Sequence, residues 1–420
     1  MRQIICASLA GGFALVASSV GAQEPVTLTW AAHYTTAQMA PLEACFRQYE
    51  TANPGVAIRY QQIGFEDFLQ ATLTSRIANT SPDITNVYSE WSRRLVDSGV
   101  LATPPDDILQ FINDSYEAST VEGAKIDGQI YGVPAEVSLY MLLYNKKLFA
   151  KAGITQPPST WAEVVADAAK IAERDGNGKV VTAGYAFGPS PGNATHPFRA
   201  LMFSRGLPLI KEDGLSTNLA EPAAAEILQG QVELFSQGST SPSNVVKDFP
   251  SGRNGMQIMA NWFEQTLRDG LGDQFDATVG VAPIPAGPDW KTYQYSFFQA
   301  VDANSPHKDE AWKLIRWLNA PKADGGRSCV GDMVVTLGGL TANKADIAAS
   351  QAELGDAFTK PYVDALQSGR ALTDPNIAQT AEVDRILRSY IEAAWLGKAK
   401  PADALKQADA DITNVLSLPQ

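Results

Sequence analysis

Short apolar strand patterns alternate with amphipathic helix patterns from residue 26 to residue 88. Apolar positions at helical spacing predict each helix, and Asn53-Pro54-Gly55 ends the first one. The predicted elements are a strand at 26–30, a helix at 37–52, a strand at 56–63, a helix at 65–77 and a strand at 81–88. Strands that alternate with helices at this spacing form βαβ units, so we expect an α/β fold with mostly parallel sheets.

A second set of α/β patterns begins near residue 140. Further strands are predicted at 140–144, 183–187, 256–260 and 278–282. Thr160 and Glu163 predict a capping box before a helix, and a helix with apolar residues between 383 and 394 is expected to end at Gly397. With 420 residues, of which 45% are hydrophobic, the chain is long enough for two domains.

Residues 1–22 have the pattern of a secretory signal peptide. Arg2 supplies a positive charge, residues 4–20 form a short apolar stretch, and Val20-Gly21-Ala22 suits a signal peptidase. No other stretch is apolar over about 18 consecutive residues. We therefore expect cleavage after Ala22 and a soluble mature chain in the periplasm.

The charge of the chain excludes one class of partner. The chain carries 33 basic and 46 acidic residues, which gives a net charge of −13. An excess of negative charge repels phosphate groups, so we expect neither nucleic acid nor an anionic membrane surface as a partner.

The cysteines and histidines have no spacing that indicates a metal or redox site. Cys45 falls on an apolar helical stripe, which favours a buried free thiol and leaves a disulfide with Cys329 as the alternative. The three histidines, at positions 33, 196 and 307, are far apart in the chain, and neither CxxC nor HExxH occurs. We expect no metal and no cofactor.

Candidate binding residues follow the predicted strands, because ligands of open α/β sheets bind beyond the carboxyl ends of the strands. These residues are His33 and Tyr34 after the first strand, Phe65 after the second, Ser89, Glu90 and Trp91 after the third, and Asn261 and Trp262 after the strand at 256–260. Aromatic rings can cover the C–H faces of a sugar, and carboxylates, amides and hydroxyls can bind its hydroxyl groups. The pattern therefore favours a neutral, polyhydroxylated ligand.

The sequence evidence for catalytic motifs is weaker than the evidence for binding residues. Gly188-Pro-Ser-Pro-Gly192 matches GxSxG in form, but prolines on both sides of Ser190 oppose a nucleophile elbow. Two carboxylates such as Glu90 and Glu136 leave a glycosidase pair open, although carboxylates are plentiful in the chain. We expect no catalytic residue.

Several motifs resemble one family over essentially the whole mature chain. The most specific are Tyr131-Gly-Val-Pro-Ala-Glu136, Leu143-Tyr-Asn-Lys-Lys-Leu-Phe149 and Pro157-Pro-Ser-Thr-Trp161. They resemble the extracellular solute-binding proteins of sugar ABC importers, in the branch that holds maltose-, multiple-sugar- and glycerol-3-phosphate-binding proteins. Ser81-Pro-Asp83, the segment 255–262 and the segment 311–318 agree with this resemblance.

The resemblance implies a two-lobed periplasmic-binding-protein fold. Each lobe is expected to be a mostly parallel sheet flanked by helices, with the ligand cleft between the lobes and crossing segments near Pro134 and Ser296. Lobe 1 would comprise residues 24–134 and 297–342, and lobe 2 residues 135–296 and 343–420. Family binding positions correspond to Phe65 and Ser89 in lobe 1, to Ser138, Asn261 and Tyr293 in lobe 2, and more loosely to Glu136 and Arg370.

The function implied is binding of a sugar or sugar-derived solute, as a monomer, for delivery to the membrane permease subunits of an ABC importer. Two alternatives remain open. An acidic sugar conjugate would use Arg370 and His33 for its anionic group, and a secreted carbohydrate-active enzyme would turn a glycoside over. Some candidates also have structural interpretations: Phe65 could pack at the start of its helix, and Glu136 and Arg370 could form an ion pair between the lobes.

Overall fold

The computed structural model describes residues 25–188 and 190–418, so the expected signal peptide lies outside the described residues. Within these residues there are thirteen strands: β1 Val26–Ala32, β2 Val56–Gln62, β3 Ile84–Tyr88, β4 Lys125–Ile126, β5 Gln129–Ile130, β6 Val133–Asn145, β7 Glu173–Arg174, β8 Val180–Tyr185, β9 Asn254–Ala260, β10 Val279–Ala282, β11 Thr292–Val301, β12 Leu340–Thr341 and β13 Ala371–Leu372.

The same described residues contain eighteen α-helices: α1 Thr36–Ala52, α2 Phe65–Ala78, α3 Ser92–Asp97, α4 Asp106–Ser115, α5 Ala118–Val121, α6 Lys146–Lys151, α7 Trp161–Ile171, α8 Pro191–Phe203, α9 Pro222–Ser236, α10 Glu264–Leu271, α11 Phe275–Thr278, α12 Lys308–Asn319, α13 Cys329–Thr336, α14 Lys344–Ala349, α15 Gln351–Leu354, α16 Lys360–Gln367, α17 Thr380–Trp395 and α18 Pro401–Leu416. Short 3-10 helices follow two of the strands, at Ser89–Trp91 after β3 and at Asn261–Phe263 after β9.

The predicted alternation of strands and helices at the N-terminal end is confirmed. β1, α1, β2, α2 and β3 follow one another, and β1 pairs in parallel with both β2 and β3. α1 begins with a capping box formed by Thr35 and Gln38. The predicted capping box of Thr160 and Glu163 begins α7, and Gly397 follows α17 with φ 69°.

The two longest strands, β6 and β11, connect the parallel strands on either side of them. They pair with each other antiparallel, β11 also pairs antiparallel with β3, and β6 pairs antiparallel with β9. The hydrogen-bonded order is β2-β1-β3-β11-β6-β9-β8-β7. Parallel pairing, as predicted, holds for β2-β1-β3 and for β9-β8, whereas the middle of the sheet is antiparallel.

Two large apolar cores flank the sheet. One contains Trp30, Phe46 and Trp312, and includes side chains of α1, α12 and α13. The other contains Phe198 and Trp395, and includes side chains of α7, α8, α9, α17 and α18. In the described part of the chain, no helix combines the length and the apolar character that a membrane span requires.

The predicted free thiol at position 45 is wrong. Cys45 lies buried on the apolar stripe of α1, as expected, but it forms a disulfide with Cys329 at the start of α13. α1 packs against α13, which brings the two Cα atoms to 6.3 Å, within the range that a disulfide requires. The partner is 284 residues away in the sequence, so local periodicity could predict the burial of Cys45 but not its bond.

Candidate functional site

Strands β1, β3 and β11 and the start of α2 bring seven rings together. β1 is followed by His33 and Tyr34, and β11 contributes every second side chain from one face, as strand geometry requires. We call this group the aromatic cluster: His33, Tyr34, Phe65, Tyr88, Trp91, Tyr295 and Phe297.

Phe65 lies at the open side of the aromatic cluster. Its ring centroid is 4.9 Å from that of Trp91 and 5.5 Å from those of His33 and Tyr88. It nevertheless remains 38% exposed. The Phe65 ring is thus held by its aromatic neighbours and open to solvent on one side.

Glu136 of β6 supplies a carboxylate next to these rings. Its Oε2 accepts a hydrogen bond of 2.5 Å from the Tyr34 hydroxyl, and its Oε1 accepts one of 3.3 Å from the Ser138 hydroxyl. Burial raises the pKa of Glu136, and the hydrogen bonds from Tyr34 and Ser138 oppose that rise. Glu136 is therefore paired with hydroxyls and not with Arg370.

The segment after β9 carries the second exposed ring. Trp262 remains 37% exposed, is in contact with Phe263, and interacts with the Tyr295 hydroxyl of the aromatic cluster. Asn261 is fully buried: its Oδ1 accepts from the Leu139 backbone N–H at 3.0 Å, and its Nδ2 donates to the Val137 carbonyl. Asn261 thus fixes this turn to β6 and leaves Trp262 at the surface.

A cavity of about 510 Å³ lies between α10, the end of α13 and the segment 352–359, and none of the predicted binding residues lines it. Its lining includes Gly339, where an added Cβ would lie 3.4 Å from Cγ of Glu136. It also includes Glu264 and Arg268, which form an ion pair of 2.6 Å. A cavity of this volume is in the range of small-molecule sites.

Charged side chains form a separate group next to Tyr88, whose hydroxyl donates a hydrogen bond of 3.0 Å to Glu90. We call it the charged cluster: Glu90, His196, Arg199, Asp374 and Asp384. All five are buried. Arg199 is at its centre, with Nη1 donating to Glu90 at 2.6 Å and Nη2 donating to Asp384 at 2.8 Å.

Burial and charge act in opposite directions in this cluster. Burial raises the pKa of Asp374 to about 6, although the Arg199 guanidinium partly opposes the rise. Burial also acts to raise the pKa of Asp384, but Arg199 and His196 outweigh it and the pKa falls below its usual range. For Arg199 the carboxylates outweigh burial, so the guanidinium is held in its charged form.

Several predicted binding residues are already occupied by protein partners. Ser89 Oγ accepts from the Ser296 backbone N–H at 3.1 Å, and the Tyr293 hydroxyl donates to Glu90. The Arg370 guanidinium donates to the carbonyls of Pro288 and Trp290. Burial lowers the pKa of His33 to about 4, so its imidazole is neutral at pH 7.

The structure thus places the predicted residues in four different surroundings. His33, Phe65, Glu136, Ser138 and Trp262 border or join the aromatic cluster. Glu90 and Tyr293 belong with the charged cluster, Ser89 and Asn261 bind backbone, and Arg370 lies over the Trp290 ring.

Sequence reasoning missed two sets of side chains. Tyr295 and Phe297 could have been found from the alternation along β11, which turns every second residue to the same face. His196 and Arg199 are one helical turn apart on α8, a spacing that places them on one side of the helix. Their partners Glu90 and Asp384 are distant in sequence, so no local pattern indicates the cluster.

Comparison with known proteins identifies relatives along nearly the whole chain. Residues 32–325 match the model of the family described as bacterial extracellular solute-binding protein. A binding protein of Brucella abortus is 27% identical, covering 98% of both chains. The diacetylchitobiose-binding protein DasA of Streptomyces coelicolor is 25% identical over 84% of this chain and 81% of its own length.

A solved structure shares the fold. The cyclic α-maltosyl-1,6-maltose-binding protein of Arthrobacter globiformis superposes with a TM-score of 0.74, covering 93% of this chain and 99% of its own, at 25% identity. The predicted two-lobed α/β fold is confirmed by this similarity.

Proposed function

Because the chain belongs to the family of bacterial extracellular solute-binding proteins, which bind solutes without transforming them, we propose that it captures a sugar or sugar-derived solute for an ABC importer. The names of two relatives support a carbohydrate: one binds diacetylchitobiose and the other a cyclic maltosyl-maltose. Delivery to the permease subunits of the importer would complete its role.

The observation that carries this proposal is the arrangement of rings around one carboxylate. Phe65 and Trp262 each leave more than a third of their surface exposed. Phe65 belongs to the aromatic cluster that borders Glu136, and Trp262 interacts with Tyr295 of the same cluster. Exposed rings can stack on the C–H face of a sugar ring, while a carboxylate accepts hydrogen bonds from its hydroxyls.

We propose that the ligand lies between two lobes, with residues 24–134 and 297–342 in lobe 1 and 135–296 and 343–420 in lobe 2. The division is supported by the pairing of β6 and β11, since each strand pairs with different partners along its two halves. Thin strands between two lobes permit a hinge that closes over a ligand. Small-angle scattering should therefore give a smaller radius of gyration when the ligand is saturating.

An acidic sugar conjugate is less well supported than a neutral sugar. Its anionic group was expected to bind His33 and Arg370. The lowered pKa of His33 removes one positive charge, and the Arg370 guanidinium is bound to two backbone carbonyls. Neither group offers a free cation for a phosphate or sulfonate.

We further propose that residues 1–22 are removed on export and that the mature chain works as a monomer in the periplasm. The acidic composition, with 33 basic and 46 acidic residues, supports a role without nucleic acid.

A thermal-shift screen of the mature chain against monosaccharides, disaccharides, oligosaccharides, polyols and sugar phosphates tests the proposal. A ligand at 100 times its Kd should stabilise the protein by about 2.7 kcal/mol. Mass analysis should then recover the sugar unchanged at a stoichiometry near one. Stabilisation by phosphorylated compounds alone, or steady release of a hydrolysed product, would refute it.

A further inference from the structure

Three ligand-type atoms of the charged cluster converge on one point. Glu90, His196 and Asp384 each direct one oxygen or nitrogen there, and all three atoms lie within 4.8 Å of one another. His196 Nε2 is 3.8 Å from Glu90 Oε2 and 3.8 Å from Asp384 Oδ2. These distances are too long for hydrogen bonds, but only slightly longer than the separation of two ligands on one transition-metal ion.

The remaining atoms of the three side chains are held in place by neighbours. His196 Nδ1 is hydrogen-bonded to the Tyr140 hydroxyl at 2.8 Å. Glu90 Oε1 accepts from Arg199 and Tyr293, and Asp384 Oδ1 accepts from Arg199. Metal sites have this arrangement, because outer partners fix the orientation of each ligand. Glu90 Oε2, the oxygen that faces His196, also accepts a hydrogen bond of 3.0 Å from the Tyr88 hydroxyl, so an ion would share this oxygen with Tyr88.

His196 Nε2 is a second and separate indication. The histidine is only 6% exposed, and this nitrogen makes no hydrogen bond with any residue in the described ranges. Buried polar atoms normally have a partner, so an unpaired one that points between two carboxylates indicates a missing ion or solvent molecule.

The charge of the cluster also favours a cation. Three carboxylates, those of Glu90, Asp374 and Asp384, face one guanidinium, that of Arg199. The carboxylates therefore outnumber the one guanidinium in a buried site. Buried charge is costly unless it is compensated, so a bound cation would be favoured there.

We propose that Glu90, His196 and Asp384 bind a divalent transition-metal ion of the Zn²⁺ class. An imidazole nitrogen suits zinc, nickel or copper, whereas Ca²⁺ and Mg²⁺ prefer a shell of oxygens. No local pattern predicts this site, because positions 90, 196 and 384 lie on three separate segments. The bound ion would link the turn after β3 to helices α8 and α17.

The experiment uses the untagged mature chain, first treated with a chelator and then titrated with ZnCl₂ by calorimetry. His196→Gln removes the coordinating nitrogen and retains an amide that can hydrogen-bond to Tyr140. Glu90→Gln removes one carboxylate at constant volume. His307→Gln is the matched control, because His307 lies at the start of α12, outside the charged cluster.

We expect saturable binding of one Zn²⁺ per chain and an unfolding temperature that rises with Zn²⁺ concentration. His196→Gln and Glu90→Gln should each weaken binding by more than the roughly 10–100-fold that loss of an outer partner costs. His307→Gln should bind Zn²⁺ as the parent does. Co²⁺ should give a visible absorption band that His196→Gln abolishes.

Folding of each variant is checked by its unfolding temperature in chelator, which separates a lost ligand from a damaged fold. The proposal is overturned if the parent chain shows no saturable one-equivalent binding. It is equally overturned if folded His196→Gln and Glu90→Gln both bind Zn²⁺ as the parent does. Sugar binding does not enter either readout, so failure here would leave the proposed function untouched.

Discussion

Replacing Trp262 with alanine should weaken sugar binding far more than it weakens the fold. Trp262 is 37% exposed, and a tryptophan side chain offers about 250 Å², so about 90 Å² is free for a ligand to cover. At about 25 cal/mol per Å² this area is worth about 2 kcal/mol, which corresponds to roughly a 30-fold increase in Kd. Trp262→Phe should recover part of the loss, since a smaller ring still covers C–H groups.

The assay pairs calorimetric affinity with the free energy of unfolding, measured on the same variant without ligand. Unfolding should change by less than the roughly 3–5 kcal/mol that truncation of a fully buried tryptophan costs. Trp317→Ala is the matched control: Trp317 is also 37% exposed, but it lies on α12 against Tyr49. Unchanged affinity in Trp262→Ala, together with a large loss of stability, would make Trp262 a packing residue and refute the reasoning.

Three further predictions concern the fold and its charged groups. Cys45→Ser with Cys329→Ser should lower the free energy of unfolding by about 2–5 kcal/mol, because the crosslink closes a long loop; urea unfolding checks this, and no change would show that the bond contributes nothing. Arg199→Met should cost about 3–5 kcal/mol by the same measurement, because it leaves buried carboxylates without their cation; a cost near zero would contradict the ion-pair description. The raised pKa of Glu136 means that its stabilising contribution is complete below the unfolded-state pKa and is lost as the pH rises through the folded-state pKa. The free energy of unfolding of Glu136→Gln, relative to that of the parent chain, should therefore increase as the pH rises from acidic to neutral. A difference in unfolding free energy that does not change with pH would contradict the raised pKa of Glu136.

The N-terminal elements could be predicted closely because their signals are local. The strand patterns that became β1, β2 and β3 and the helix patterns that became α1 and α2 each depend on apolar spacing within one segment. The rule that ligands bind at strand ends also led to Phe65 and Trp262, two rings of the candidate site that remain exposed.

Long-range pairing could not be predicted in the same way. The bond of Cys45 to Cys329 spans 284 residues, and the Glu90–Arg199 hydrogen bond joins residues 109 positions apart. A local pattern predicts which face of an element is buried, but the partner on the neighbouring element depends on the complete fold. For the same reason Asn261 was predicted to bind ligand, whereas its amide is bound to the backbone of β6.

The central claim is that a sugar binds beside Phe65, Trp262 and Glu136. A crystal structure of the mature chain with the best ligand from the thermal-shift screen tests it most directly. We expect a sugar ring stacked on at least one of the two exposed aromatic rings, with a hydroxyl group hydrogen-bonded to Glu136. A sugar bound at a distance from all three side chains would contradict the account.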